Sequence, residues 1–307
     1  MRKIAFVFPG QGSQSVGMGR ELASAYKIGE SLFSSANEVL GFDLMKLCFE
    51  GPEEELKKTS ITQPAIFTVS AIAFEVLREK GLRASSYAGH SLGEYSALYA
   101  SGSISFQDAV KLVHFRGKFM QEATPAGFGS MAAVMGLPLE KIFEIVKAAG
   151  AEVANINSPT QVVISGEKGA VAEASALLKE AGAKRVIELS VSAPFHSSLM
   201  TPAAEKLKAE LDKIEIKDPN TPIVSNVTAD YIISGVDIKD LLIKQVTSPV
   251  LWSDSVRKMI SDGISTFVEV GPKKVLSGLI KNIDGGVSIY NVEDSQSLES
   301  TLKEAGA

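Results

Sequence analysis

The chain has 307 residues, one cysteine, a formal net charge of −5 and a sequence pI of about 5.4. Its 45% hydrophobic and 22% charged residues are typical of a globular protein, and its length fits one large domain, alone or with an insert. The acidic balance disfavours general nucleic-acid binding, which needs a basic surface, and the single cysteine excludes an internal disulfide.

The apolar stretches predict neither export nor membrane insertion. The first one covers only Ile4 to Phe8 and stops at Pro9, which is too short for the apolar region of a signal peptide. No stretch approaches the roughly 20 apolar residues that span a bilayer. We therefore expect a cytoplasmic protein with no membrane partner. Cys48 lies in an apolar setting at residues 44–49, so we interpret it as a buried thiol without a chemical role.

Strands alternate with helices in the first part of the chain. The predicted elements are a strand at Lys3–Phe8, helical patterns around Arg20–Leu40 and Ile66–Lys80, a short strand at Tyr87–Ala88, a helix from Glu94 and a helix at Gln107–Glu122. A glycine-rich loop, Pro9–Gly19, follows the first strand. This alternation predicts an α/β fold with a mostly parallel sheet and helices on both faces.

A different order begins after the break at Pro125–Gly129. The predicted elements are a strand at Met131–Met135, a helix at Leu139–Ala149, strands at Glu152–Asn157 and Gln161–Ser165, a helix at Ala170–Gly182 and a strand at Lys184–Val191. This βαββαβ order is that of a ferredoxin-like unit. We predict a small ferredoxin-like subdomain at 127–194, inserted into a large α/β domain formed by 1–126 and 195–307.

The last third of the chain returns to the large domain. Helices are predicted near Pro202–Ile214, Asp237–Val246 and Leu251–Asp262, followed by a strand at Thr266–Val270 and a closing helix from Lys273. The chain contains no internal repeat and no low-complexity tail.

The glycine loop after the first strand first suggests a nucleotide site. Gly10 and Gly12 match the start of G-x-G-x-x-G, but Ser15 stands at the third glycine position, and no Gly-Lys-Ser/Thr follows. The pattern therefore disfavours a dinucleotide or phosphate loop. Two interpretations remain: a tight turn that requires glycine, or a backbone that approaches a reacting group and aims an N–H at it.

The pentapeptide Gly89-His90-Ser91-Leu92-Gly93 is the one G-x-S-x-G match in the chain. It follows a predicted strand and precedes a predicted helix, which is the setting of a nucleophile elbow. The helix N-terminus would offer N–H groups and positive potential to a developing oxyanion. Ser91 as a plain helix cap is the alternative, but this context favours Ser91 as a nucleophile.

Three histidines are candidates for the base. His90 lies inside the elbow, beside the nucleophile, and His114 lies in the middle of a predicted helix. His196 lies where the chain re-enters the large domain, so we predict it as the general base. No histidine follows His196. Since the histidine of an α/β-hydrolase triad comes late, after its acid residue, this order disfavours an ordinary esterase.

One charged residue falls on the apolar face of the predicted helix Gln107–Glu122. Helical spacing places Arg116 in one stripe with Ala109, Leu112, Val113, Phe119 and Met120. A charge that faces the core is costly unless it is paired. Arg116 therefore has either an internal carboxylate partner or an anionic substrate whose carboxylate it binds with two hydrogen bonds. The spacing does not decide between them.

Seven short motifs follow one another over nearly the whole chain: residues 8–14 (FPGQGSQ), 62–65 (TQPA), 89–94 (GHSLGE), 116–117 (RG), 157–159 (NSP), 194–197 (PFHS) and 245–250 (QVTSPV). As an ordered set they resemble the malonyl-CoA:acyl-carrier-protein transacylases of fatty-acid synthesis. The resemblance implies a hydrolase-like large domain with a ferredoxin-like insert, in agreement with the pattern of elements above.

The resemblance also implies roles for the matching positions. Ser91 would carry the acyl group, and His196 would act first as general base and then as general acid. The backbone N–H groups of Gln11 and Leu92 would form the oxyanion hole, which would explain the glycines around Gln11. Arg116 would bind the malonyl carboxylate.

Further positions would support this site. The backbone carbonyl of Gln245 would orient His196, so that no triad aspartate is needed, and Gln63 and Asn157 would support the pocket. Phe195 resembles the pattern of malonyl-selective members. Ala193-Pro194 departs from the His-Ala-Phe-His form of large synthases, which leaves the choice of acyl group open.

The implied partners are malonyl-CoA and acyl carrier protein. No resident cofactor or metal is expected, because the coenzyme A thioester is itself a substrate. Carrier proteins are acidic, so a local basic surface is expected, with Lys273 and Lys274 as first candidates. Two alternatives stay open: a thioesterase or esterase in which water reaches the acyl-serine, and a carrier-binding scaffold without chemistry. The intact Ser91, His196 and Arg116 disfavour the scaffold.

Overall fold

Two β-sheets organise the protein, which is described at residues 3–191 and 193–306 of a computed structural model. Residues 1, 2, 192 and 307, which fall inside the predicted domain ranges, lie outside the described residues. The strands are β1 (Lys3–Phe8), β2 (Ser86–Gly89), β3 (Gly129–Met135), β4 (Glu152–Ser158), β5 (Gln161–Glu167), β6 (Arg185–Glu188), β7 (Ile223–Val224), β8 (Tyr231–Ile232), β9 (Ile264–Val270) and β10 (Ser288–Val292).

The helices pack around both sheets. They are α1 (Arg20–Ala25), α2 (Lys27–Leu40), α3 (Leu44–Glu50), α4 (Glu53–Leu56), α5 (Thr59–Glu79), α6 (Gly93–Ala100), α7 (Phe106–Glu122), α8 (Leu139–Ala148), α9 (Lys168–Glu180), α10 (Thr201–Leu211), α11 (Gly235–Thr247), α12 (Trp252–Ser261), α13 (Val275–Ile283) and α14 (Ser295–Ala305).

The larger sheet has the strand order β10-β9-β1-β2-β7-β8. All neighbouring strands are parallel except β7 and β8, which are antiparallel. Strand β1 lies inside this sheet and is buried from Ile4 to Phe8. Such a continuous apolar strand requires cover on both faces, as parallel sheets do. The prediction of an α/β protein with a mostly parallel sheet is therefore confirmed.

Helices cover the two faces of this sheet in two apolar clusters. Helices α2, α5, α6 and α7 pack on one face, where Phe6 and Phe8 of β1 point. Helices α12 and α13 pack on the other face, against Ala5 and Val7 of the same strand. Because side chains alternate along β1, this strand contributes residues to both cores. The end of β2 lies between the two cores.

Contrary to the expectation that no stretch is long and apolar enough to cross a membrane, one helix of the described residues, α5, passes that test by length and composition. However, 89% of its apolar window is buried inside the fold, so α5 is a core helix. It also contains Pro64, which cannot donate to the carbonyl of Ser60. That carbonyl instead accepts a hydrogen bond from His114 Nδ1 at 2.8 Å. His114 thereby has a structural partner on a neighbouring helix.

The smaller sheet has the order β4-β5-β3-β6, and all its pairs are antiparallel. Helices α8 and α9 bury one face of it. Met131 and Ala133 on the other face join the core of the larger unit. Val250 ties the two units together, because its N–H donates to Ala154 and its carbonyl accepts from Ile156, both on β4.

Several element boundaries differ from the prediction. The helical region at Arg20–Leu40 is two helices, since Tyr26 between them has an extended backbone. Helix α5 begins at Thr59, before Ile66, because the buried contacts outweigh the cost of a proline near its start. Strand β6 ends at Glu188, before Val191.

The sequence patterns do not predict the elements that follow the helix from Lys273. Strand β10 is half-buried along most of its length at the sheet edge, and edge strands carry a weak hydrophobic pattern. Helix α14 follows a capping box formed by Asp294 and Ser297, which is a signal that the sequence does contain. The short elements α3, α4, β7 and β8 were also missed, because each spans few residues.

Gly117 provides a test of how closely the core helices approach. A Cβ atom at this position of α7 would lie 2.4 Å from the carbonyl oxygen of Thr59 on α5. Gly117→Ala should therefore lower the free energy of unfolding by about 1–3 kcal/mol through overpacking. The matched control is Gly278→Ala in α13, where the added Cβ meets nothing within 4 Å. There alanine should stabilise the helix by about 0.5–1 kcal/mol. Urea denaturation measures both; equal effects would contradict the close approach.

Candidate active site

Ser91 lies on a sharp turn between β2 and α6. Its backbone φ is 53°, in the left-handed region that non-glycine residues rarely adopt. The turn can form only because glycines flank it. A Cβ on Gly89 would lie 1.9 Å from the carbonyl carbon of Gly93, and one on Gly93 would lie 2.0 Å from the carbonyl oxygen of Phe8. The predicted strand–turn–helix context of Ser91 is therefore present.

Asn226 stabilises this turn, although no sequence motif predicted a role for it. Its Oδ1 accepts from the backbone N–H of Ser91 at 2.7 Å, and its Nδ2 donates to the carbonyl of Gly89 at 2.6 Å. The side chain is fully buried. Both bonds fix the strained backbone on either side of His90, so the Ser91 hydroxyl stays directed outward.

His196 meets Ser91 across the site. Its Nε2 lies 2.8 Å from Ser91 Oγ, and its Nδ1 lies 2.9 Å from the backbone carbonyl of Gln245. A carbonyl can only accept, so Nδ1 carries the proton and Nε2 offers a lone pair to the serine hydroxyl. Burial, assisted by the nearby Arg116 charge, lowers the pKa of His196 to about 3. The ring is therefore neutral near pH 7 and can accept a proton.

Arg116 is buried beside the nucleophile. Its Nη2 donates to Ser91 Oγ at 3.1 Å and to Gln245 Oε1 at 3.0 Å, and its Nη1 donates to Gln63 Oε1 at 2.9 Å. The guanidinium also lies over the Tyr95 ring, 5.5 Å from its centroid. Among the described residues no carboxylate forms an ion pair with Arg116.

Two of the residues that line the same pocket have backbone N–H groups that are unpaired in the described parts of the chain. They are Gln11, in the glycine loop after β1, and Leu92, next to Ser91. Neither backbone N–H has a hydrogen-bond partner within residues 3–191 and 193–306. Gly10 lets the loop approach the elbow, because a Cβ there would lie 2.4 Å from the carbonyl oxygen of His90. The geometry thus leaves two N–H groups free near Ser91.

The pocket over Ser91 has a cavity volume of about 120 Å³. Its polar end is formed by Ser91, His196, Arg116 and Gln63, and its apolar wall by Met120, Met131, Leu189, Val191 and Phe195. The wall joins helix α7 of the larger unit to β3 and the segment after β6 of the smaller one. The pocket therefore lies where the two sheets meet.

Asn157 contacts the pocket through His90, which lines it. Its side chain is not part of the pocket wall; its Oδ1 lies 2.8 Å from His90 Nε2. Asn155, two residues earlier on β4, lines the pocket instead. His90 thus has its own partner beside the nucleophile, and burial lowers its pKa.

The remaining candidates lie outside the reacting centre. Cys48 is buried, and burial raises the pKa of its thiol to about 12, so it is not a nucleophile. Lys273 and Lys274 are exposed just before α13, and Lys273 Nζ lies 3.4 Å from the carbonyl of Gly12 in the glycine loop. The part of the chain that the structure describes contains no cluster of three or more His, Cys, Asp or Glu that could hold a metal ion.

Comparison with known proteins identifies the family. The acyl transferase domain family matches residues 5–301. A malonyl CoA-acyl carrier protein transacylase from Bacillus subtilis (strain 168) is 49% identical over 312 residues, covering 99% of this chain and 98% of the relative. The chain belongs to the malonyl CoA-acyl carrier protein transacylase family. The similarity thus extends over nearly the whole length of both chains.

Solved structures of family members agree with this fold. A malonyl CoA-acyl carrier protein transacylase from Clostridium perfringens has a TM-score of 0.96 at 46% identity, covering 99% of this chain and 97% of that chain. A type II PKS acyl-carrier protein in complex with its malonyl-transacylase gives a TM-score of 0.96 at 45% identity, with 98% and 99% covered. The mixed α/β fold with one mostly parallel and one antiparallel sheet is thus shared within the transacylase family.

Asn226 provides a test of the elbow in this transacylase family member. Asn226→Ala removes the partners of two backbone groups at a strained turn and should cost about 2–4 kcal/mol of unfolding free energy. It should also lower the rate of acyl transfer, because the Ser91 hydroxyl loses its fixed direction toward His196.

The matched control for this test is Asn291→Ala, whose Nδ2 makes one 3.3 Å bond to Glu293 at the sheet edge. That substitution should cost less than about 1 kcal/mol and leave acylation unchanged. Denaturation and single-turnover acylation check both variants. If Asn226→Ala matches the control in both unfolding free energy and acylation rate, the turn at Ser91 does not depend on Asn226.

Proposed function

We propose that this acyltransferase moves the malonyl group from malonyl-CoA to the phosphopantetheine thiol of acyl carrier protein, in fatty-acid biosynthesis. One observation carries the proposal: Ser91 Oγ lies within hydrogen-bond distance of both the His196 base and the Arg116 guanidinium. A nucleophile–base pair next to a buried cation suits an acyl group that ends in a carboxylate. The relative from Bacillus subtilis bears the name of this activity.

In the first half-reaction Ser91 Oγ attacks the thioester carbonyl while His196 Nε2 takes its proton. The carbonyl oxygen becomes negative, and the free N–H groups of Gln11 and Leu92 stabilise it. The intermediate then collapses: the C–S bond breaks, and His196 returns the proton to the thiolate of coenzyme A. The product is a malonyl ester on Ser91.

The second half-reaction runs the same steps with the carrier thiol. His196 takes the thiol proton, the sulfur attacks the ester carbonyl, and the C–O bond to Ser91 breaks. The serine oxygen regains a proton from His196. Because one nucleophile serves both halves, coenzyme A must leave before the carrier thiol attacks, which gives a ping-pong mechanism.

The base needs no acid residue behind it. The carbonyl of Gln245 accepts from His196 Nδ1 at 2.9 Å, which fixes the tautomer and the ring orientation. A neutral carbonyl stabilises the imidazolium less than a carboxylate would, so His196 gains less basicity than in a Ser-His-Asp triad. The imidazolium that forms on His196 must therefore pass its proton rapidly to the leaving thiolate.

We propose the finer architecture as well. The four-stranded unit at 127–194 is a ferredoxin-like subdomain, supported by its βαββαβ chain order and by the strand order β6-β3-β5-β4. Residues 1–126 and 195–307 form the hydrolase-like large domain, supported by the elbow at the end of a parallel strand.

We also propose that the enzyme works without a resident cofactor or metal and acts in the cytoplasm. The chemistry above uses only Ser91, His196 and backbone N–H groups, and the thioester arrives with the substrate. Malonyl-CoA and acyl carrier protein are its partners; nucleic acid and membrane are not.

Intact mass spectrometry after brief exposure to malonyl-CoA tests the function. The wild-type protein should gain one malonyl group, which Ser91→Ala should not acquire, and added carrier protein should remove it. Rapid loss of the adduct to water would indicate a thioesterase, and absence of any adduct would indicate a binding scaffold.

Steady-state kinetics test the ping-pong mechanism. Double-reciprocal plots of initial rate against the concentration of one substrate, at several fixed concentrations of the other, should give parallel lines. Converging lines would contradict a free acyl-enzyme.

The serine and histidine should act as one unit. Ser91→Ala and His196→Ala should each remove most of the transfer activity, and the double variant should be little worse than either, because each group works through the other. Steady-state transfer rates of the three variants test this expectation. Native acylation by His196→Ala would identify another base.

Arg116 should set the choice of acyl group. Malonyl can accept two parallel hydrogen bonds from the guanidinium, whereas acetyl leaves its buried charge without an anionic partner. Losing such a buried partner costs about 3–5 kcal/mol, or two to four orders of magnitude in rate. Arg116→Ala should therefore lose malonyl transfer and keep or gain acetyl transfer, and Arg116→Lys should be intermediate. Values of kcat/KM for both acyl-CoA substrates decide; parallel losses would make Arg116 structural.

Lys273 and Lys274 are proposed as part of the carrier docking surface. Both are exposed, and Lys273 reaches the glycine loop beside the pocket. Lys274 Nζ lies 4.0 Å from Glu293, so the local charge is partly balanced. Lys273→Glu combined with Lys274→Glu should raise the KM for the acidic carrier and leave acylation by malonyl-CoA alone. Equal effects on the two half-reactions would refute this docking role.

A further inference from the structure

A buried carboxylate lies near Arg116 without touching it. Glu94, in the first turn of α6, is 1% exposed. Its Oε2 accepts from the side-chain Nε2 of Gln245 and, at 3.4 Å, from the backbone N–H of Asn226. No ion pair involves Glu94 within the described parts of the chain. A carboxylate in this position needs a reason, since burial without a paired cation is costly.

The Gln245 side chain stands between Glu94 and Arg116. Its Oε1 accepts from Arg116 Nη2 at 3.0 Å, while its Nε2 faces Glu94 and also donates to the carbonyl of Ser91 at 3.0 Å. A guanidinium can only donate and a carboxylate can only accept, so the two charges fix which way the amide points. The amide is thus polarised from both ends.

We propose that Glu94 is a positioning residue that balances the charge of Arg116 across the Gln245 amide, and so leaves the guanidinium without a protein carboxylate directly on it, where the carboxylate of the acyl group can bind. This inference rests on the proposed malonyl transfer. It also joins the two sequence interpretations of Arg116: an internal carboxylate exists, but one amide away, where it does not occupy the site that the substrate carboxylate needs.

The arrangement makes two substitutions act in opposite directions. Glu94→Gln removes the negative charge but keeps an oxygen that can accept from Gln245 Nε2. The field at Arg116 then becomes more positive, so attraction for the malonyl carboxylate should increase. Moving the carboxylate onto position 245 places it directly on Arg116, where it competes with malonyl. A purely structural role would weaken malonyl binding in both variants.

The ionisation of Glu94 adds a pH signature. Burial raises the pKa of Glu94 to about 7, against the lowering effects of Gln245, Asn226 and Arg116. Arg116 and Tyr95 are the charged and titratable groups that interact electrostatically with Glu94, and His90 and His196 are the titratable histidines of the pocket. Burial raises the pKa of Tyr95 and lowers the pKa of both histidines, away from neutrality. As pH falls through about 7, Glu94 gains a proton and the wild-type protein should come to resemble Glu94→Gln.

The readout is the ratio of single-turnover kcat/KM for malonyl-CoA to that for acetyl-CoA. Glu94→Gln should raise this ratio at pH 8 by about three- to tenfold, since a unit charge a few ångströms away acts through a low effective dielectric. The wild-type ratio should rise as pH falls from 8 to 6, and the Glu94→Gln ratio should stay flat over that range.

A charge swap between positions 94 and 245 should change the ratio in the opposite direction. The Glu94→Gln/Gln245→Glu double variant keeps the net charge, the Gln–Glu contact and the backbone carbonyl that orients His196. Its malonyl-to-acetyl ratio should fall at least tenfold below wild type. The matched control is Glu75→Gln, which removes another buried carboxylate, 7% exposed, that pairs with Arg78 and Tyr99 away from the pocket. Its ratio should equal that of wild type.

Each outcome decides the inference. A Glu94→Gln ratio that is unchanged or lower than wild type, or a wild-type ratio that does not depend on pH, overturns it. A swap with a wild-type ratio overturns it too, and thermal melting identifies a swap that has not folded, in which case Glu94→Gln and the pH series decide. Failure of wild-type protein to form the malonyl adduct is a separate result, which refutes the proposed function instead.

Discussion

The strained turn at Ser91 is the constraint on which the site depends. A serine hydroxyl can face both a base and a guanidinium only when the backbone turns sharply between strand and helix. That turn requires bare α-carbons at Gly89 and Gly93, where the chain passes against itself and against Phe8. It also requires Asn226, which forms hydrogen bonds with the backbone N–H and C=O groups that the turn leaves without backbone partners.

Charge in the pocket is arranged without direct ion pairs. Arg116 is held by amide and hydroxyl oxygens, His196 by a backbone carbonyl, and Glu94 by an amide N–H. These neutral partners leave the net charge of the buried groups uncompensated at close range, and Arg116 Nε has no hydrogen-bond partner among the described residues. An uncompensated cation therefore lies beside Ser91, and burial keeps His196 neutral near pH 7.

The position of the pocket between two sheets explains its small volume. The larger sheet supplies the elbow and α7, while β3 and the segment after β6 close the opposite wall. Val250 bonds to β4 on both sides and lies only a few residues after Gln245. The same connection that docks the smaller sheet therefore also places the carbonyl that orients His196, so the shape of the pocket and the geometry of the base are coupled.

Local patterns in the sequence predicted the β1 strand, the Ser91 elbow, the elements of the βαββαβ order and the apolar face that carries Arg116, because the signal for each element lies in residues that are close together in the chain. The patterns did not predict the edge strand β10 or the proline-containing start of α5, because packing stabilises both. The partners of the site were decided only by the tertiary structure: Asn226 reaches Ser91 across 135 residues, and Gln245 reaches Glu94 across 151. No local pattern encodes such contacts, because they arise when parallel strands bring distant chain segments to the same edge of the sheet.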